Sequence, residues 1–166
     1  LISYTNKFKV HIIRPATVCG FSPRMRLDLT VNMLTFQALE NEKITVFGGK
    51  QIRPNIHIKD MIRIYEYFVL NESLPNGFYN AGFENLSILE IAQMVSNKIK
   101  SKIEISESSD QRSYRLDSSK LLSYGFKPNY IIEDAIDELT NIYKKGLLIN
   151  NESFYTVKWM KKRKLL

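Results

Sequence analysis

Residues 14–60 read RPATVCGFSPRMRLDLTVNMLTFQALENEKITVFGGKQIRPNIHIKD, and the order of features in this stretch decides the fold. It grows out of Phe8–Val18 (FKVHIIRPATV), which is rich in β-branched and apolar residues and reads as a mostly buried strand. Pro15 has no amide hydrogen to give to a ladder, so the regular strand is expected to end near Arg14. Gly20–Arg26 then forms a loop carrying Arg24 and Arg26. Asp28 is placed to cap a helix running to about Asn41, with Val31, Leu34 and Ala38 as its inner stripe. Ile44–Phe47 is a short strand closed by Gly48-Gly49, and Asn55–Ile58 is extended. A strand exit, a basic loop, a helix, a strand and an Arg-Pro turn in this order suit a phosphorylated small molecule, because ligands of open α/β sheets collect at strand carboxyl ends.

Working outward, a helix follows His57 and Asp60 to about Val69, with Met61, Ile62, Tyr65 and Val69 expected to face inward. Pro75-Asn76-Gly77 is a turn, and Phe78–Ala81 a second full strand. Ser87 and Glu90 make a capping box for a helix over Ile88–Lys98 with an apolar face of Ile88, Ile91, Ala92 and Val95. Ile103–Ile105 is a third short strand, and Ser118–Ser123 a small helix stopped by Gly125 with Pro128 beyond it. The last helix expected runs from about Ile132 to Lys145, and no element is assigned past Gly146. Strands alternate with helices, so the class is α/β or mixed α+β, with α/β taken as the reading. Three or four short strands do not complete a doubly wound sheet; the pattern is part of one, plus a cap.

With 166 residues and 44% hydrophobic content, the chain has enough apolar mass for one domain with a core, or for a large piece of a bigger one. No apolar run reaches the roughly 18 residues that span a bilayer. The opening LISYTNKFKV lacks the charged leader, apolar centre and cleavage site of a signal peptide, so the cytoplasm is the default compartment. Leu1 is not an initiator methionine, which makes a fragment the expectation, with some apolar surface lacking its partner. The lone Cys19 excludes an internal disulfide and a cysteine zinc site, and reads as a small buried hydrophobe. His11 and His57 are too few for a metal site, so no metal is expected. The formal net charge of +7 raises nucleic acid as a partner, but much of it sits in the tail Lys158–Lys164 (KWMKKRK), which reads as a solvated basic end. Trp159 alone is a weak platform for a base.

Several segments, in order, resemble those of the extended short-chain dehydrogenases/reductases, the NAD-dependent epimerases and dehydratases of nucleotide sugars. Arg14–Gly20 (RPATVCG) is similar to that family's RPxxVYG, with Cys19 in place of the tyrosine. Asn32-Met33 falls where the family has an asparagine followed by an apolar residue. Ile44–Asp60 resembles its R-x-x-x-H-V-x-D segment, Phe78–Gly82 (FYNAG) its YNxG, and Asp110–Lys120 with Gly125, Phe126 and Pro128 its C-terminal D-x-SK…LG-x-x-P. The match covers about residues 8–145 and implies the C-terminal part of a Rossmann-like epimerase fold: the last sheet strands interleaved with a small α/β substrate-binding domain.

The family's G-x-x-G-x-x-G and Y-x-x-x-K do not occur here; Tyr4, for instance, is followed four places on by Phe8. The resemblance therefore implies that the catalytic Tyr/Lys dyad lies upstream of Leu1, that NAD or NADP is held mostly by that other half, and that this chain alone is inactive for want of a proton partner. The full-length family member is commonly a homodimer. The implied partner of this part is a nucleotide-diphosphate sugar.

Residue by residue, the resemblance puts Pro15, Ala16, Thr17 and Val18 beside the nicotinamide; without it they read as a buried strand end. Arg53 is assigned the nucleotide diphosphate, where a planar guanidinium can hold two oxygens at once; alone it reads as a surface arginine after a turn. Asn32 can donate an amide N–H to the same group, or sit as a polar residue on an exposed helix face. Asn32 and Arg53 are expected to close on one pyrophosphate. Met33 accompanies Asn32, and Val46 with Phe47 would form an apolar slot against the base, although such pairs are usually core. Asp110 and Arg112 belong to a second substrate-facing segment. Many relatives carry an arginine three residues before that aspartate; here it is Glu107, and Arg112 or Arg115 is left to substitute. Arg24 and Arg26 either close over the substrate or are solvated. His57 is read as structural. Two rival functions stay open on sequence alone: a non-catalytic nucleotide-sugar binding module, and a nucleic-acid binder acting through the basic tail.

Overall fold

The strand expected over Phe8–Val18 is broken at Ala16 into two strands that serve different sheets. A computed structural model of the chain describes residues 1–108, 110 and 112–165. In it β1 (His11–Pro15) lies parallel to β5 (Gly77–Ala81), from His11 opposite Gly77 to Pro15 opposite Ala81. One residue later β2 (Thr17–Cys19) lies parallel to β4 (Ile52–His57), with Thr17 opposite Asn55. At the switch the Ala16 amide donates to the Ala81 carbonyl at 2.8 Å. Gly82 makes this possible, because a Cβ there would stand 2.5 Å from that of Ala16. The break also changes the burial. Ile12 and Ile13 are half-buried and Arg14 and Pro15 exposed, since β1 has β5 on one edge only among the described residues.

The antiparallel strand β6 (Glu84–Ser87) completes the β2-β4-β6 sheet, pairing Ile52 with Ser87 and Asn55 with Glu84. The sequence reading left this strand out: ENLS has no β-branched residue, and its extension is imposed by β4. A third parallel pair joins β3 (Lys43–Phe47) to β7 (Lys102–Ser106).

Three helices pack one core over β3: α1 (Thr30–Asn41), α3 (Ile88–Ile99) and α5 (Ile132–Lys144). Val31, Leu34 and Ala38 of α1 meet Ile91, Ala92 and Val95 of α3 and Ala135 and Ile136 of α5. The Ser87–Glu90 capping box is present at the start of α3. α1 begins differently from expectation. Its N-cap is Leu29 without a side-chain bond, because Asp28 turns back to pair with Arg26 at 2.9 Å.

A second core lies under β1 and β5, where Tyr79 and Ala81 pack on Ile64 and Phe68 of α2 (Ile58–Leu70) and Leu121 of α4 (Ser119–Ser123). Here the expected inner face of α2 is corrected. Met61, Ile64 and Phe68 are buried, whereas Ile62, Tyr65 and Val69 are 59%, 55% and 77% exposed. The helix is apolar on several sides, so periodicity did not single out the face that β1 and β5 cover. The third core joins Met25 and Leu27 of the β2–α1 loop to Leu139, Leu148 and, past Gly146, Phe154 and Tyr155, ahead of α6 (Thr156–Lys162).

Candidate functional site

The sheet switch at Ala16 opens a cleft. Pro15, Ala16, Thr17 and Val18 together line a cavity of about 400 Å³. Arg26 and Leu29 wall one side, Pro54, Tyr114 and Leu116 the other. A neighbouring cavity of about 230 Å³ shares Val18, Arg26 and Leu29 and adds Gly20, Arg24 and Asn32. A third, of about 140 Å³, is lined by Met33, Phe47, Gln51 and Asp110 among others.

Arg53 leaves β4 towards Asp110, Arg112 and Tyr114 and is largely covered, its side chain 12% exposed. Nη1 donates to the Ile52 and Arg112 carbonyls, and Nη2 to the Asp110 carboxylate at 3.2 Å. The guanidinium carbon stands 5.4 Å from the Tyr114 ring centre, a cation–π distance. Those bonds use three of the five N–H donors that a guanidinium carries, leaving Nε–H and one Nη2 hydrogen without a protein acceptor among the described residues. Asp110 is held from the other side by Arg112, whose Nε and Nη2 each reach it at 2.8 Å. Arg112, then Arg53, keeps the Asp110 carboxyl well below the usual carboxylate range. Gln51 anchors the segment by donating to the Asp110 carbonyl at 2.9 Å.

The structure does not bring Asn32 and Arg53 onto a common partner. Asn32 is buried, its Oδ1 accepting the Gly20 amide at 3.0 Å and its Nδ2 donating to the Arg26 carbonyl at 3.0 Å. It is a loop anchor in the 230 Å³ cavity rather than an exposed helix residue. Val46 and Phe47 cannot form one slot. Successive strand residues point to opposite faces, and Val46 is fully buried in the α1–α3 core while Phe47 is 54% exposed. Met33 and Phe47 do share a cavity with Asp110, and Arg53 and Arg112 both bond to Asp110.

His57 is the N-cap of α2, its Nδ1 accepting the Lys59 amide at 3.1 Å, and its ring stacks on Tyr130 at 5.0 Å. Burial lowers its pKa against the opposing pull of Glu138. Glu138 was not singled out from sequence, yet it touches three elements: Phe21 N–H at 3.1 Å, Lys59 Nζ at 2.7 Å and His57 Nε2 at 3.4 Å. Burial pushes its carboxyl up, but Lys59 and the Phe21 amide outweigh that and leave it below the usual value. Tyr114 was missed too; its position in the DQRSYRLDSSK segment was the available signal. At the tail, Trp159 is already engaged by Arg163 at 4.7 Å and Arg24 at 5.5 Å.

Residues 2–82 match the sequence model of the NAD dependent epimerase/dehydratase family. Vestitone reductase of Medicago sativa is 33% identical over 99 residues, which cover 56% of this chain and 30% of that protein. Among solved structures, UDP-N-acetylglucosamine 4-epimerase from Bacillus cereus superposes with a TM-score of 0.73 at 22% identity, over 92% of this chain and 52% of its own. UDP-glucuronic acid 4-epimerase from Bacillus cereus, solved with UDP-glucuronic acid and NAD, gives 0.69 at 25% identity, over 87% and 48%. The chain thus spans about a third of the curated relative and half of these structures. The matched segment contains the strand exit, the β2–α1 loop and the Arg-Pro strand that build the cleft; over these residues the chain is similar to the NAD dependent epimerase/dehydratase family, and its fold is that of the extended short-chain dehydrogenases/reductases.

Proposed function

We propose that this chain supplies the nucleotide-sugar side of the pocket of an NAD-dependent epimerase or dehydratase, and turns over substrate only with an NAD-binding half that carries the glycine loop and the Tyr/Lys dyad. The observation that carries the reading is the link between the cleft and Arg53. The strand-exit residues Pro15–Val18 line the cleft together with Tyr114, and the Tyr114 ring centre lies 5.4 Å from the Arg53 guanidinium, which the Asp110 carboxylate holds.

The residues present fit a nicotinamide lying against the cleft: the Pro15–Val18 stretch offers an uncharged, mainly apolar surface across the sheet switch. NAD, when bound, supplies the hydride acceptor for the sugar carbon. This chain's residues bind and orient. Arg53 offers its two remaining N–H groups to diphosphate oxygens, and Asp110 fixes the plane of the fork through Nη2. The Tyr114 ring covers the guanidinium and screens it from water, which strengthens a charge-assisted bond. Arg26, held by Asp28 through Nε and Nη2, presents its Nη1 side as an oriented donor for a sugar oxygen. The cytoplasm suits such a reaction and a single reduced cysteine. The full protein is proposed to act as a homodimer.

Calorimetry tests the reading. The chain should bind UDP-glucuronic acid, and Arg53→Ala should weaken that binding by about 1.5–3 kcal/mol, the usual worth of a hydrogen bond to a charged group. An unchanged dissociation constant would remove Arg53 from the pocket.

A further inference from the structure

The loop leaving β2 delivers Arg24 and Arg26 to the cavities, and its first two amides are both captured by side chains from elsewhere in the fold. Gly20 N–H donates to Asn32 and Phe21 N–H to Glu138, 117 residues further along the chain. Glu138 is itself fixed. Lys59 holds Oε1 at 2.7 Å, and the fully buried His57 ring lies 3.4 Å from Oε2. His57 in turn backs Gly20, where φ is +99° and an added Cβ would come within 3.0 Å of the imidazole. The neighbouring α5 residues Ala135 and Leu139 are completely buried, so the carboxylate rides on an immobile helix face. One side chain therefore ties α5, the start of α2 and the exit of β2 at a single point.

We infer that Glu138 is a positioning residue for the nucleotide-sugar pocket: by accepting the Phe21 amide it sets the direction in which the chain leaves β2, and so where Arg24 and Arg26 stand. The pocket part of this inference rests on the function proposed above; the loop anchor does not. Lys59 keeps the carboxylate aimed. An uncharged amide at the same reach keeps an acceptor oxygen for Phe21 N–H, whereas a methyl group leaves that amide without one.

Two readouts on the intact chain decide it: hydrogen exchange of residues 20–26 without ligand, and affinity for UDP-glucuronic acid. Glu138→Ala should speed exchange at the Phe21 amide and weaken binding, each by about tenfold, the scale of one lost buried hydrogen bond. Glu138→Gln, which keeps an oxygen for the Phe21 amide but gives up the Lys59 ion pair, should fall between wild type and Glu138→Ala in both, a partial rescue that a general loss of packing would not show. Should Glu138→Ala fail to fold, Lys59→Met, which changes an exposed side chain, should loosen the same amide to a smaller degree. Wild-type exchange at Phe21 in Glu138→Ala, or in Lys59→Met where Glu138→Ala does not fold, overturns the anchor. Faster exchange with undiminished affinity overturns the pocket role. A wild-type chain that does not bind the nucleotide sugar overturns the functional reading and the pocket role with it, while exchange at Phe21 still decides the anchor.

Discussion

Cys19 closes β2 at the edge of the cavities, where a thiol could be mistaken for a nucleophile. Its pKa is pushed up to about 12, first by burial and then by the negative charge of Glu84, and its S–H faces the Ile56 carbonyl at 3.5 Å. A protonated, covered thiol does not attack, so iodoacetamide at about pH 8 should modify Cys19 only after the chain unfolds, because the thiolate is the reactive form. Modification of the folded chain at the rate of the unfolded one would contradict this. At the same scale, Arg53 was singled out through a segment that resembles a known family's, although the turn expected at Arg53-Pro54 is in fact the interior of β4. Glu138 and Tyr114 were not. Their partners lie 117 residues away at Phe21 and, for the 110–116 segment, about 60 residues away at Gln51 and Arg53, so no local pattern announces them.

Among the elements, α3 was fully legible: its capping box is a local code, and Ile91, Ala92 and Val95 occur at helical spacing on one face only. α2 was legible as a helix but not in its facing. Apolar residues from Met61 to Leu70 fall on more than one side, and the choice among them is made by β1, β5 and α4. The correction has a direct consequence in urea unfolding. Ile64→Ala removes a side chain with no exposed surface and should cost about 2–5 kcal/mol. Ile62→Ala, at a site 59% exposed, should stay within about 0.5 kcal/mol. Equal losses at the two positions would restore the sequence-based facing. Asp28 illustrates the same limit at α1, since a carboxylate ahead of a helix can cap it or pair with a nearby arginine, and here the Arg26 fork wins.

On the scale of the whole molecule, the chain divides its strands among three small sheets, and β1 keeps one edge unpaired among the described residues. The α/β class followed from the alternation of elements, but the sheet switch at Ala16 did not, because it depends on β4 and β5 arriving from opposite sides of one residue. The separation of Asn32 from Arg53 is a result of the same geometry: one bonds to the loop beside β2, the other leaves β4 for Asp110 and Arg112. The proposed function therefore assigns the grip on the ligand to Arg53 and its Asp110 cluster, while Asn32 holds the loop. On this account a nucleotide sugar should be detected by amide chemical-shift mapping. Titration with UDP-glucuronic acid should move the amides of residues 16–18, 26, 53, 110 and 112–116 and leave those around Arg63 and Lys127, on a separate cavity, in place. Shifts confined to the Arg63–Lys127 cavity, or no shifts at saturating nucleotide sugar, would contradict the account.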